Sequence, residues 1–249
     1  MRDLEVQLSI SDDIIIGTDK NVSCPIPIAL QLIKQNKVVY PLTDCHHRGN
    51  TYLGLDNGTV VKIDCNNSKT LVITGCSKII TIRATGNYLF VLQSGSPHTV
   101  GVYDLNGKLI TSWNHTDLDD GYYHGSNLVL RKDQVVVAGR KNQQIVTYSD
   151  RGNVERQISC PNIIRANNWS IMCEAGQNHM ILTNHHQSKV FKLNLTSGVV
   201  EWTCTEIPYP EGVVCYGTGY VIVCSFTGPE RIWILNQKTG KSVDEANGV

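Results

Sequence analysis

Residues 189–204 read KVFKLNLTSGVVEWTC. Apolar and polar residues alternate, a polar Thr-Ser-Gly turn intervenes, and alternation resumes. Alternation with a period of two places every second side chain on one face of a strand, so this stretch predicts a β-hairpin. The plan recurs. RIWILNQKTGKSVDEA (231–246) and TVGVYDLNGKLITSW (99–113) repeat it, as do TVVKIDCNNSKTLVIT (59–74) and QIVTYSDRGNVERQIS (144–159). With the second residue of each hairpin as a marker, the copies fall at Val60, Val100, Ile145, Val190 and Ile232, in steps of 40, 45, 45 and 42 residues. A repeat of about 40–50 residues with only strand patterning between the copies is the mark of a propeller blade. A sandwich or barrel gives turn signals at about 8–12 residues without the longer echo.

Each unit resolves into four short strands. In the second unit these are SKIITIRAT (77–85), YLFVLQ (88–93), TVGVYD (99–104) and KLITSW (108–113). The following units give SNLVLRK, QVVVAGR, QIVTYSD and NVERQIS, then WSIMCEA, HMILTN, KVFKLNL and VVEWTC, then GVVCYG, YVIVCSF, RIWILN and a weak KSVDEA. Inner strands are nearly continuous apolar runs, as burial on both faces requires. The turns CNNSK, LNGK, DRGN, LTSGV and QKTGK supply Asn, Asp and Gly, which accept the positive φ of tight hairpins. No 12-residue stretch carries a helical period. The chain is therefore expected to be all-β, a β-propeller of six four-stranded blades, with five as the alternative. Residues 1–249 are read as one domain of a longer protein, and 1–44 as an irregular first blade plus the inner strand of the next. Residues 4–10 are a candidate ring-closing strand, because an open seam leaves unpaired sheet edges.

Composition excludes several classes. The chain has 249 residues, 41% of them hydrophobic, with 22 basic and 22 acidic side chains and a formal net charge of zero. That balance argues against a dominantly electrostatic partner such as duplex nucleic acid. No apolar run approaches the length of a membrane span, and no membrane association is expected. The start MRDLEVQLSISDD lacks the layout of a secretory leader. Nine cysteines (24, 45, 65, 76, 160, 173, 204, 215 and 224) are odd in number and show no C-x-x-C spacing. Several sit in apolar strands, where a thiol acts as a small hydrophobe, so reduced thiols and a cytoplasmic location are expected. The alternative is secretion, resting on six N-x-S/T triplets at Asn21, Asn57, Asn66, Asn114, Asn168 and Asn194.

Topology orders the loops. In a four-stranded meander, the loops after the second and fourth strands share one face. Here that face collects 94–98 with His98, 114–125 with Tyr122 and Tyr123, and 140–143 with Arg140 and Lys141. It also collects 161–168 with Arg165, 184–188 with His185 and His186, 206–211 with Tyr209, and 226–230. The opposite face has mostly tight turns. Binding residues concentrate on loops held by a rigid scaffold, so these nine residues are the candidate partner-binding set. Arg140, Lys141 and Arg165 are also phosphate-binding candidates, and the tyrosines are candidates for base stacking or protein hot spots. Adjacent histidines on a strand point in opposite directions, so neither His185-His186 nor His46-His47 is expected to hold a metal. DLDDG (117–121) lacks the ligand spacing of a calcium loop. No G-x-S-x-G elbow, phosphate loop or H-E-x-x-H is present. The inner strands carry few polar groups, Arg83 and Arg131 excepted, which weighs against catalysis in a central channel.

VFKLNLTSGVVEWTC (190–204) resembles the quinoprotein-type propeller repeat, in which a strand, a Thr-Gly turn and a Trp recur; WILNQKTGK (233–241) is a partial second copy. The other units lack the pair, and no cofactor is expected. Residues 50–245 resemble the divergent six-bladed NHL-type propellers that end tripartite-motif (RING, B-box, coiled-coil) proteins. The units GNYLFVLQSGSPHTVGVYDLNGKLITSW (86–113) and DQVVVAGRKNQQIVTYSDRGNVERQI (133–158) carry that cadence. The resemblance implies a non-enzymatic interaction module that recruits a protein, including a ubiquitin-ligase substrate, with the ligase RING outside this chain. An RNA-binding role on the same face is the first alternative and a channel enzyme or small-molecule binder the second. Oligomerisation is not required by such a domain.

Overall fold

The computed structural model describes residues 41–95, 97–115, 128–131, 134–139, 143–161, 163, 172–176, 178–225 and 232–243. These residues form nineteen strands in five antiparallel sheets. The first blade is β1 (Pro41–His47), β2 (Asn50–Leu55), β3 (Val60–Ile63) and β4 (Lys69–Ile73). The second is β5 (Ile79–Thr85), β6 (Tyr88–Gln93), β7 (His98–Asp104) and β8 (Leu109–His115). The third is β9 (Leu128–Arg131), β10 (Gln134–Gly139), β11 (Gln144–Ser149) and β12 (Val154–Ser159). The fourth is β13 (Met172–Glu174), β14 (His179–Asn184), β15 (Lys189–Asn194) and β16 (Val200–Cys204). The fifth has three strands, β17 (Pro210–Tyr216), β18 (Tyr220–Ser225) and β19 (Ile232–Asn236), and a single bridge from Leu235 to Ser242 where a fourth would start.

The propeller expected from the repeat is present, and the blade count needs correction: the described chain makes five blades, not six. The strand-like stretches behind the sixth, and the ring-closing strand expected at 4–10, lie outside the described residues. Each inner strand packs on the next in the order β1, β5, β9, β13, β17. Among the described residues, β17 does not pack on β1 in the same way. No helix of the described residues is long and apolar enough to cross a membrane.

The repeat has a local cause. At the end of the third strand of each blade, or one residue beyond it in the first, stands a residue whose side-chain oxygen accepts two backbone N–H groups of the following turn. Asp64 accepts from Asn66 and Ser68, Asp104 from Asn106 and Lys108, and Ser149 from Arg151 and Asn153. Asn194 accepts from Thr196 and Ser197, and Asn236 from Lys238 and Thr239. Such side chains stand in for the backbone acceptors a tight turn lacks. In blades two, three and four a register shift lies between the two residues that precede this acceptor, which bends the outer strand away; in the first blade the shift lies at the other end of β3, between Val60 and Val61.

The core lies between blades. Tyr52, Val60, Ile79, Ile82 and Leu89 pack the first joint, and Leu92, Val100, Leu128, Val135 and Val146 the second. Ile145, Ile158, Met180, Leu182 and Leu193 pack the third, and Ile181, Val190, Ile207, Val221 and Leu235 the fourth. Fully burying one such side chain contributes roughly 1.5–3 kcal/mol, so the joints hold the blades together. They also interlock. An outer-strand side chain of one blade lies over the turn glycine of the next: Trp113 over Gly152 and Trp202 over Gly240, where an added Cβ would come within 2.5 Å of the indole. Both glycines have positive φ (85° and 70°). Trp202 Nε1 also donates to the Gln237 carbonyl at 3.0 Å. Ile73 and Ile158 approach Gly107 and Gly198 at the equivalent turns.

Candidate functional site

The candidate partner-binding residues divide three ways. Tyr122, Tyr123, Arg140, Lys141 and Arg165 lie outside the described residues.

His98 requires correction. It is not a loop residue on the rim but the first residue of β7, 2% exposed and paired in register with His115 of β8. The reason is visible in the alternation: His98 shares a strand face with Val100 and Val102, both buried. His115, 1% exposed, hydrogen-bonds through Nδ1 to the Tyr148 hydroxyl across the joint of blades two and three. Its ring meets Tyr148 edge-on at 5.7 Å. Its Nε2 is buried and finds no hydrogen-bond partner among the described residues. Burial, aided by the neighbouring His98, holds the His115 pKa down at about 4.

His185, His186 and Tyr209 are brought together, at the rim between blades four and five. Asn184, fully buried at the end of β14, anchors the loop. Its Nδ2 donates to the Ile163 carbonyl at 2.8 Å, and its Oδ1 accepts the Gln187 N–H at 3.0 Å. The chain then turns, with the Ser188 N–H donating to the His185 carbonyl at 3.2 Å and Ser188 at φ 51°. Because 185–188 form a turn rather than a strand, the two adjacent histidines do not point apart: their rings meet edge-on with centroids 5.2 Å apart. The connector between β16 and β17 is fastened at Ile207, which is fully buried, and at Pro208, whose carbonyl accepts the Ser225 hydroxyl. Between these anchors and the β17 ladder, Tyr209 is held at φ 44° and its N–H donates to Ser188 Oγ at 3.2 Å. Its ring lies 5.2 Å from that of His185 and is 45% exposed.

Glu211 Oε1 stands 3.7 Å from His185 Nδ1. Burial lowers the His185 pKa, the Glu211 carboxylate opposes that, and His186 adds to it. The corner therefore presents three aromatic rings beside the Glu211 carboxyl group. Among the described residues, no three His, Cys, Asp or Glu side chains are grouped so as to hold a metal ion. His46 and His47 serve the scaffold: His46 Nδ1 meets Thr51 Oγ1 at 3.2 Å and His47 Nε2 the Gly86 carbonyl at 2.9 Å. Cys45, Cys65, Cys76, Cys160, Cys204, Cys215 and Cys224 are free thiols. Burial pushes the Cys45 thiol up to about 12 and that of Cys160 up to about 11, so both stay protonated and unreactive at neutral pH.

The opposite face, expected to carry mostly tight turns, holds a polar cavity between blades three and four, lined by Arg131, Thr147, Glu155, Arg156 and Asn178 among others. Sequence reasoning marked Arg131 as an exception among the inner strands. It had no means of pairing that residue with Arg156, which lies on an outer strand of the same blade.

No protein-family model matches the chain, and no curated protein matches it significantly. Solved structures do. A protein of unknown function from Bacteroides caccae superposes with a TM-score of 0.63 at 11% identity, over 84% of this chain and 81% of that one. The WD40 β-propeller domain of Doa1 gives a TM-score of 0.63 at 11% identity, over 84% and 68%. A chain of a nidogen/laminin complex gives 0.62 at 15% identity, over 84% and 79%. At such identities the similarity establishes the β-propeller fold.

Proposed function

We propose that this chain is a non-enzymatic interaction module that recruits a protein partner through the rim corner of His185, His186 and Tyr209. One observation carries the reading: an aromatic side chain, 45% exposed, on a backbone held at positive φ by a hydrogen bond from its own N–H. A tyrosine at φ 44° is strained by about 1–3 kcal/mol, and strain of that kind persists where surrounding structure imposes it. The rim does so here, through Ser188, Ile207 and the Pro208 carbonyl. A rigid, exposed tyrosine loses little entropy on docking, which is why such residues anchor interfaces. Propellers of similar fold include a chain of a nidogen/laminin complex, in keeping with such use. The cadence of residues 86–113 and 133–158 supports the finer reading, an NHL-type propeller at the end of a tripartite-motif protein, cytoplasmic, delivering a substrate to a ligase domain encoded elsewhere.

The test is affinity purification with the wild-type chain and with Tyr209→Ala, each checked for an unchanged melting temperature. The variant is expected to lose specific partners, since truncating an interface anchor costs about 2 kcal/mol or more. An identical set of partners would refute this corner as the docking site. Retention that falls steeply with rising salt, and is abolished by ribonuclease, would replace the protein partner with RNA.

A further inference from the structure

The fifth blade turns an apolar face to the seam. Register sets Val214 beside Ile222 and Ile234, and Tyr216 beside Tyr220. Val214, Tyr216, Tyr220 and Ile234 are exposed, while Val213, Val221, Val223 and Leu235, on the other face of the same sheet, pack the joint with blade four. Gly212, Cys224, Ile232 and Asn236 complete the seam face, and none of its positions is charged. A contiguous exposed apolar patch of this kind marks a contact surface.

The first blade meets the seam from the other side, with the face turned away from the first joint. Leu53, Leu55 and Ile63 on that face are buried, and the cluster they form with Val61 holds only first-blade side chains among the described residues. No described blade supplies their cover. We propose that residues 1–40 of this chain occupy the seam, the stretch 21–33 lying face-on over β17 and β18. The proposal is independent of the rim corner, and its failure leaves that reading as it stands.

The place where this segment ends is the first argument. It joins the described chain at Pro41, the first residue of the inner strand β1, at the border of the seam. Residues 34–40 reach about 25 Å when extended, against about 10 Å between packed sheets, so 21–33 comes within reach of the fifth blade. Chemistry is the second argument. NVSCPIPIALQLI (21–33) contains no charged residue, and Ile26, Ile28, Leu30 and Leu32 recur at every second position. In extended form these four share one face, neutral and apolar like the face opposite. Pro25 and Pro27 lack the N–H that a ladder needs, which favours packing of side chains on the sheet over addition to its edge. Entry from the inner strand leaves the outer corner of the face, at Ile232 on β19, in solvent.

Hydroxyl-radical labelling of the full chain, read by mass spectrometry, tests this. Tyr216 and Tyr220, 57% and 46% exposed on the fifth blade, are compared with Tyr88 on the second, 45% exposed; the shared residue type cancels intrinsic reactivity. A cover that opens rarely should slow labelling of Tyr216 and Tyr220 at least about fivefold relative to Tyr88. Leu30→Asp sets an unpaired charge against the apolar face and should bring both tyrosines to the rate of Tyr88, whereas Leu30→Met, which keeps an apolar side chain of similar volume, should preserve the protection. Thermal melts establish that the variants fold, and the wild-type ratio is decisive by itself if Leu30→Asp does not. Wild-type labelling of all three tyrosines at one rate would overturn the proposal and leave the face free for another protein. Protection lost on dilution from about 100 µM to about 1 µM would replace the segment with a second copy of the chain. Protection unmoved by Leu30→Asp in a folded variant would remove 21–33 from the seam.

Discussion

The four joints between consecutive blades and the seam between the fifth blade and the first are built from the same repeat, yet they differ at one position. At each joint the turn after the third strand carries a glycine at positive φ, namely Gly107, Gly152, Gly198 or Gly240, with a side chain of the preceding blade against it. In the first blade, which no described blade precedes, that position is Asn67, at φ 63° and exposed. The fifth blade, on the other side of the seam, has three strands and exposes Val214, Tyr216, Ile232 and Ile234. Glycine is thus required where a neighbour presses on the turn; without that pressure, asparagine, which tolerates the left-handed conformation, is enough. The turn motif belongs to the blade, and the glycine belongs to the joint.

The largest test of this distinction is truncation on either side of it. Trp202→Ala removes the indole over Gly240 and its hydrogen bond to the Gln237 carbonyl, and should cost about 3–4 kcal/mol. Ile232→Ala, at 59% exposure on the fifth blade, should stay within about 0.5 kcal/mol. Urea denaturation of the two variants checks this. Comparable losses would show that the seam is as tightly packed as the joints.

What the sequence disclosed follows the same division. The turn acceptors Asp64, Asp104, Ser149, Asn194 and Asn236 act within a few residues of themselves, so the blades were legible and their spacing correct. Asn184 and Ser188 are also local, and loop order alone was enough to put His185 on the same rim as Tyr209. The count of six depends on reading residues 1–44 as an irregular first blade plus the inner strand of the next, and residues 1–40 lie outside the described residues. The loop placement of His98 overlooks its alternation with Val100 and Val102, which turns its side chain inward. The cavity was illegible for a different reason. Arg156 reaches the next blade 39 and 40 residues away, and an exposed-looking V-E-R-Q-I strand carries no sign of the turn it will meet.

The joint of blades two and three should also respond to acid, where the seam should not. The unfolded His115 imidazole takes a proton below about pH 6.5, whereas in the fold it resists until about pH 4. The protonated ring carries hydrogen on both nitrogens, and Nε2–H has no acceptor among the described residues. Between those values the unfolded chain binds the extra proton, so stability falls as pH drops from about 6.5 to about 4 and levels off below. The difference of about 2.5 units corresponds to at most about 3 kcal/mol. Denaturation of His115→Gln against wild type across this range measures it. Equal slopes for the two proteins would mean that His115 is not held neutral in the joint.

The smallest effect separates backbone strain from neighbour contact. Gly152→Ala imposes both: a left-handed φ of 85° on a residue with a Cβ, and a Cβ within 2.5 Å of the Trp113 ring. The first costs about 1–2 kcal/mol and the second adds to it, for a total of about 2–3 kcal/mol. Gly49→Ala has a similar φ, 73°, and nothing within 4 Å of the new Cβ, so it isolates the backbone cost at about 1 kcal/mol. If the two substitutions cost the same, the indole yields freely and the glycine at the joint is there for its φ alone. If Gly152→Ala costs more and the excess disappears in a Trp113→Ala background, the pressure of one blade on the next is what selects glycine at that turn.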